Sequence, residues 1–152
     1  MDNLFPVKGL YSYIPIIAGP TASGKSALAL EICRQADGEL VCADSMQIYK
    51  GLDVGTAKDT KEEIGNVPHY LTDIIEPGTD FSVYDYLNTA LPVIKDILER
   101  GKLPVVCGGT GQYISSLLYG LDYGTGDEDA EIKATKELEA EYAEKGIDPL
   151  YA

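Results

Sequence analysis

The segment Gly19-Pro20-Thr21-Ala22-Ser23-Gly24-Lys25-Ser26 fits G-x-x-x-x-G-K-[ST] at every fixed position. Its flanks are the ones that motif needs. Tyr13 to Ala18 is an apolar run that reads as a short buried strand, with Pro15 near its beginning. Lys25 to Ala36 has helical spacing, with Leu28, Ile32 and Ala36 on one face and Leu30 beside it. Asp37-Gly38 ends that helix, and Glu39 to Ala43 reads as a second strand. Strand, glycine loop, helix, strand is a βαβ unit, so the chain is expected to build a parallel sheet flanked by helices. The physics of the loop is specific. Its glycines let the backbone wrap an anion, and the unpaired N–H groups of the helix start point inward, where the helix dipole favours negative charge. Lys25 adds a cation for terminal phosphate oxygens, and the Ser26 hydroxyl suits Mg²⁺. The motif specifies a polyphosphate or pyrophosphate without choosing the molecule that carries it.

Further along, residues 44–68 read as loop and short helix, and Tyr70 to Ile75 as another strand. Glu76-Pro77-Gly78 marks a turn. Ser82 is placed to cap a helix running to Arg100, with a kink expected at Pro92. Leu103 to Cys107 is the clearest later strand, followed by Gly108-Gly109-Thr110-Gly111 and a helix over Gln112 to Tyr119. Residues 1–121 therefore form one α/β core. Residues 122–152 differ: Asp122 to Asp148 holds ten acidic and three basic residues, and Asp127 to Lys145 within it reads as an exposed helix ended by Gly146. That tail closes no layer, so the sequence reads as truncated.

Composition narrows the function. The 152 residues carry a net charge of −13, with neither half basic, so most of the surface repels a nucleic-acid backbone. Three cysteines without C-x-x-C spacing argue against a disulfide framework or zinc site and fit a reducing cytoplasm. The start lacks the charged and apolar regions of a signal peptide, and no apolar run approaches a membrane span. The one histidine, His69, reads as satisfying a local hydrogen bond, and Tyr84, Tyr86 and Tyr113 as core or groove wall.

Ligands of open α/β sheets bind beyond the carboxyl ends of the strands. Asp44 ends the second strand on that edge and is placed to take a proton from an acceptor. Thr110 ends a later strand there and offers a hydrogen bond, or else caps the following helix.

Several segments together resemble the tRNA dimethylallyltransferases. They are the loop itself, the long stretch from Ala43 to Lys58 (ADSMQIYKGLDVGTAK), Pro68 to Asp73, Phe81 to Tyr86, and Gly108 to Tyr113, spread in order from Ile16 to Leu121. The resemblance implies a nucleoside-triphosphate-hydrolase-like P-loop fold and transfer of a dimethylallyl group from dimethylallyl diphosphate to an adenosine amine beside the tRNA anticodon. It implies that Gly19, Pro20, Thr21, Ala22, Ser23, Gly24, Lys25 and Ser26 hold the diphosphate, with Mg²⁺ at Ser26. Asp44 would be the general base and Thr110 would position nucleotide and pyrophosphate. Ser45, Met46, Gln47 and, more loosely aligned, Lys133 would touch the tRNA anticodon stem-loop. No obligate protein partner is implied. Family members are longer and more basic, so these residues are expected to bind diphosphate but transfer prenyl groups poorly. The rival classes are a small-molecule or nucleotide kinase, which would close an arginine-bearing lid absent after Arg100, and a nucleotide switch, which would need a magnesium-binding aspartate after Val105-Val106.

Overall fold

The computed structural model describes residues 13–120. Residues 122–152, read above as an acidic helical segment, and Lys133 within them lie outside the described residues. In chain order the elements are β1 (Ile16–Ala18), α1 (Lys25–Ala36), β2 (Gly38–Cys42), α2 (Lys61–Ile64), β3 (His69–Tyr70), α3 (Val83–Glu99), β4 (Leu103–Gly108) and α4 (Gly111–Tyr119). The four strands form one sheet in the order β1-β4-β2-β3, and every pairing is parallel. The expected α/β class holds, with one topological refinement. β4 lies between the two strands of the βαβ unit, pairing Ile16 with Val106 on one side and Val41 with Val106 on the other.

The sheet separates two apolar layers. Ala29, Leu30 and Cys33 of α1 pack with Leu40, Leu103, Val105 and Cys107. Tyr86, Ala90, Ile94 and Ile97 of α3 and Tyr113 and Leu117 of α4 pack with Val41 and Val106. β2 and β4 are buried along their whole lengths, as expected of strands covered on both faces. The tyrosines divide: Tyr86 and Tyr113 stack in the core with centroids 4.0 Å apart, whereas Tyr84 is exposed.

Two expectations change. The inward face of α1 is Ala29, Leu30 and Cys33, and Leu28 is exposed. Weighing side chains by size misplaces this face, because small residues sit where the helix approaches the sheet most closely. The strand expected over 70–75 is cut to His69–Tyr70, since Leu71 and Asp73 adopt left-handed φ of 65° and 53°; Ile75 then bridges back to Tyr49. Pro92 lies inside α3 without dividing it. Ser82 caps α3 as expected, in a reciprocal box with Asp85.

The one carboxylate inside a central strand is Glu39, 4% exposed. Arg100 donates to both its oxygens at 2.6 Å, and the Tyr70 hydroxyl donates at 2.8 Å. The Arg100 hydrogen bonds, opposed by burial and aided by Tyr70, hold the Glu39 carboxyl below its usual range. A carboxyl depressed in the folded state stabilises it above the unfolded pKa, about 4.3 for glutamate, and that contribution fades as pH falls through the folded value. Thermal melts are therefore expected to show a smaller acid-side loss of Tm below about pH 4.3 in Glu39→Gln than in the parent. Coincident acid profiles would contradict this. The three thiols are free and buried; burial pushes Cys33 and Cys107 up to about 11 and Cys42 to about 12, so they stay protonated at neutral pH.

Candidate active site

The loop between β1 and α1 curls through Ala22 at φ 64° and Gly24 at φ 80°. Both values lie in the left-handed region, which Gly24 adopts without the steric cost that a side chain incurs. Gly24 occupies the N-cap of α1 and offers no side chain, and the first turn holds no acidic residue. The first N–H groups of α1 thus keep their positive end open towards the loop. Lys25 Nζ donates to the Pro20 carbonyl at 3.1 Å, which places the ammonium over the loop. α2 and α3, by contrast, close their N-termini with Thr60–Glu63 and Ser82–Asp85 boxes.

Thr21 to Ala27 line one side of a cavity of about 240 Å³, and Asp44, Gln47, Thr56, Ala57 and Asp59 line the other. Asp44 follows β2 and accepts from the Met46 N–H at 3.0 Å through Oδ1. Its other oxygen, Oδ2, lies beside Gly109. A Cβ on Gly109 would stand 3.6 Å from Oδ2 and 3.5 Å from the Gly19 carbonyl, so the bare backbone of Gly109 runs between the phosphate-type loop and the carboxylate.

The ends of β2 and β4 are laced together. Ala43 N–H donates to the Cys107 carbonyl at 2.8 Å, and Thr110 N–H donates to the Ala43 carbonyl at 3.1 Å. Thr110 Oγ1 accepts from the Ser45 N–H at 2.8 Å and donates to Ser45 Oγ at 3.1 Å. Thr110 stands at the N-cap of α4 but makes no side-chain cap bond. Its hydroxyl fixes Ser45, and through Ser45 the backbone that carries Asp44.

The loop after Asp44 is stapled from inside. Gln47 Nε2 donates to the carbonyls of Thr56 at 3.1 Å and Ala57 at 3.4 Å. Lys58, with its side chain 7% exposed, donates to the Tyr49 carbonyl at 2.7 Å and pairs with Asp53 at 3.0 Å and Asp73 at 2.5 Å. Burial pulls the Lys58 ammonium pKa down, but the two carboxylates more than offset that and leave it above its ordinary value.

The chain matches the family profile described as IPP transferase over residues 47–152, and the profile described as isopentenyl transferase over residues 12–75. It belongs to the IPP transferase family. A tRNA dimethylallyltransferase of Thermoanaerobacter sp. is 58% identical over 106 residues, covering 70% of this chain and 34% of that protein. One of Acetivibrio thermocellus is 50% identical over 136 residues, covering 90% of this chain and 43% of that protein. The chain therefore spans less than half the length of these curated relatives. Among solved structures, the full-length tRNA isopentenylpyrophosphate transferase of Bacillus halodurans superposes with a TM-score of 0.72 at 41% identity, covering 92% of this chain and 46% of that one. A eukaryotic dimethylallyltransferase acting on tRNA superposes at 0.67 and 33% identity, covering 68% of this chain and 26% of that one.

Within this IPP transferase core, the eight loop residues named from sequence line or flank one cavity with Asp44, Gln47 and the return of the 49–59 loop. Ser45 and Thr110 bond to each other behind it. Met46 is exposed and Gln47 is committed to the loop interior. Sequence reasoning gave Lys58 no role beyond its place in the Ala43–Lys58 stretch and did not single out Asp59, since a charge beside a threonine in a polar loop carries no sequence signal of burial. His69 is also placed otherwise than expected: its Nδ1 is buried without a hydrogen-bond partner, and burial, opposed by Asp59 and Asp73, lowers its pKa.

Proposed function

We propose that this chain carries the donor-binding core of a tRNA dimethylallyltransferase. The observation that supports it is one cavity lined by both the Thr21–Ser26 part of the loop and Asp44. In this reading the loop N–H groups and Lys25 neutralise the diphosphate of dimethylallyl diphosphate. The allylic C–O bond breaks, and pyrophosphate leaves with the electron pair. The exocyclic adenine nitrogen forms the new C–N bond, and its proton passes to Asp44 Oδ2, the oxygen not held by Met46. An adenine amine is a weak nucleophile because its lone pair is conjugated into the ring, so proton removal as the bond forms is what Asp44 contributes.

The Ser26 hydroxyl and the Asp59 carboxyl lie together at the foot of this cavity, an oxygen-donor set that suits Mg²⁺. The ion would add charge neutralisation at the departing diphosphate. Thr110 serves as the positioning residue for Asp44, while exposed Met46 and, beyond the described residues, Lys133 are proposed contacts for the anticodon stem-loop. None of the described helices is long and apolar enough to cross a membrane; the cytoplasm is the proposed compartment in which the chain meets tRNA. Family membership disfavours a kinase.

Ligand choice tests the reading. By mass action, inorganic pyrophosphate or dimethylallyl thiodiphosphate at one hundred times Kd adds about 2.7 kcal/mol of stability. For a domain of this size that is a rise of about 5–10 °C in Tm. A larger rise with ATP than with either diphosphate would assign the cavity to a kinase instead.

A further inference from the structure

Behind the loop cavity lies a second, smaller pit of about 10 Å³, lined by Ser26, Asp44, Asp59 and His69 among others. That volume matches a single water-sized occupant, and such an occupant needs several polar partners. The walls supply them. Asp59 lines both the pit and the loop cavity, as do Lys25, Ser26, Asp44 and Gln47. His69 brings the buried Nδ1 that has no hydrogen-bond partner. Asp59 is half-buried, and the positive charge that reaches it from Lys25 is already directed at the Pro20 carbonyl. The Asp59 carboxyl hydrogen-bonds with the Ser26 side chain, and both residues line the cavity that a diphosphate would enter.

We propose that Asp59 supplies a second protein oxygen, beside the Ser26 hydroxyl, to a divalent cation of magnesium type that binds together with the diphosphate. This rests on the diphosphate reading of the loop given above. Magnesium takes oxygen ligands in an octahedral shell and keeps several waters, and the water-sized pit gives one of those waters a place against His69. The loop from Thr56 to Asp59 thereby becomes part of donor binding: Lys58 and Gln47 hold its backbone, and Asp59 presents the charge.

The charge of Asp59 gives the test a sign that a structural role would not produce. Without metal, the carboxylate repels the diphosphate; with metal, it helps to hold the pair. Titration calorimetry of inorganic pyrophosphate into the 152-residue chain, across a series of MgCl₂ concentrations, reads both regimes. In Asp59→Asn the Mg²⁺ concentration for half-maximal pyrophosphate binding is expected to rise about tenfold. Metal-free affinity is expected to stay level or increase up to roughly threefold, because a nearby negative charge has gone. Asp59→Glu, which restores the carboxylate, should recover part of the Mg²⁺ response, and circular dichroism melts verify that both variants fold. Asp59→Ser repeats the comparison if the asparagine variant melts early. An unchanged Mg²⁺ midpoint in the neutral variants, or equal loss of affinity with and without metal, would overturn the assignment of Asp59 alone. Failure of the parent chain to bind pyrophosphate at any Mg²⁺ concentration would overturn the diphosphate reading, and this proposal with it.

Discussion

Asp44→Ala, carried in a sequence extended to the length of the family's tRNA dimethylallyltransferases, is expected to slow prenyl transfer by about 10²–10⁴-fold, the range for loss of a positioned general base. Pyrophosphate affinity should change by less than about twofold, since the groups proposed to hold the anion are the loop N–H groups, Lys25 and the α1 N-terminus. The two readouts separate because the carboxylate's contacts are separate. Oδ1 is used by the Met46 N–H, and Oδ2 lies beside Gly109, facing the gap towards Gly19. Single-turnover transfer to an anticodon stem-loop, with calorimetry of pyrophosphate alongside, measures both. Parallel loss of transfer and affinity would place Asp44 on the metal rather than on the adenine amine. Asp44→Asn refines the experiment: it keeps an acceptor for Met46 but removes the base, so its transfer rate should fall nearly as far as that of alanine.

Gly108→Ala is expected to do more damage with one methyl group. A Cβ at Gly108 would stand 2.1 Å from the Ala43 carbonyl oxygen, 2.2 Å from its carbon and 2.7 Å from its Cα. All three are backbone atoms of the segment leaving β2, so no side-chain rotation relieves the clash. The strand ends must part, which breaks the Ala43–Cys107 and Thr110–Ala43 hydrogen bonds. Two buried backbone bonds and an overpacked contact together cost roughly 3–6 kcal/mol. A domain with marginal total stability should then lose most of its folded population or melt more than about 10 °C lower. Gly55→Ala is the control, because a Cβ there meets nothing within 4 Å. A Gly108→Ala protein that melts with the parent would refute the packing argument.

The parts of the site that were legible in the sequence are those set by local rules. The glycine-lysine-serine spacing, the strand before it and the helix after it all depend on neighbours in the chain, and α1 starts and stops where the spacing predicts. Asp44 was legible through topology, because a residue ending a parallel strand must face the binding edge. What escaped is set by residues distant in sequence. Lys58 is buried only because Asp53 and Asp73 come to it from both sides, and Asp59 reaches the cavity only because Gln47 and Lys58 fold the loop back. Glu39 was placed in the second strand from sequence, but its partner Arg100, which arrives from the end of α3, was not legible there. The inward face of α1 was misjudged for a related reason: its contacts are chosen by how near the sheet lies, and Ala29 and Cys33 are small enough to allow that.

The placement of β4 at the centre of the sheet has a consequence for how the protein matures. β1, which leads into the Gly19–Ser26 loop, pairs with β4 alone among the described strands, and Ile16 finds Val106 only after nearly all of the core has been synthesised. Such long-range parallel pairing is slow to form, and until it does the intervening strand surfaces stay open to aggregation. On a ribosome the nascent chain therefore cannot anchor β1 in the sheet early, however complete its first forty residues are. β1 and β2 join one sheet only through β4, so the strand that leads into the loop is held once that central strand is in place.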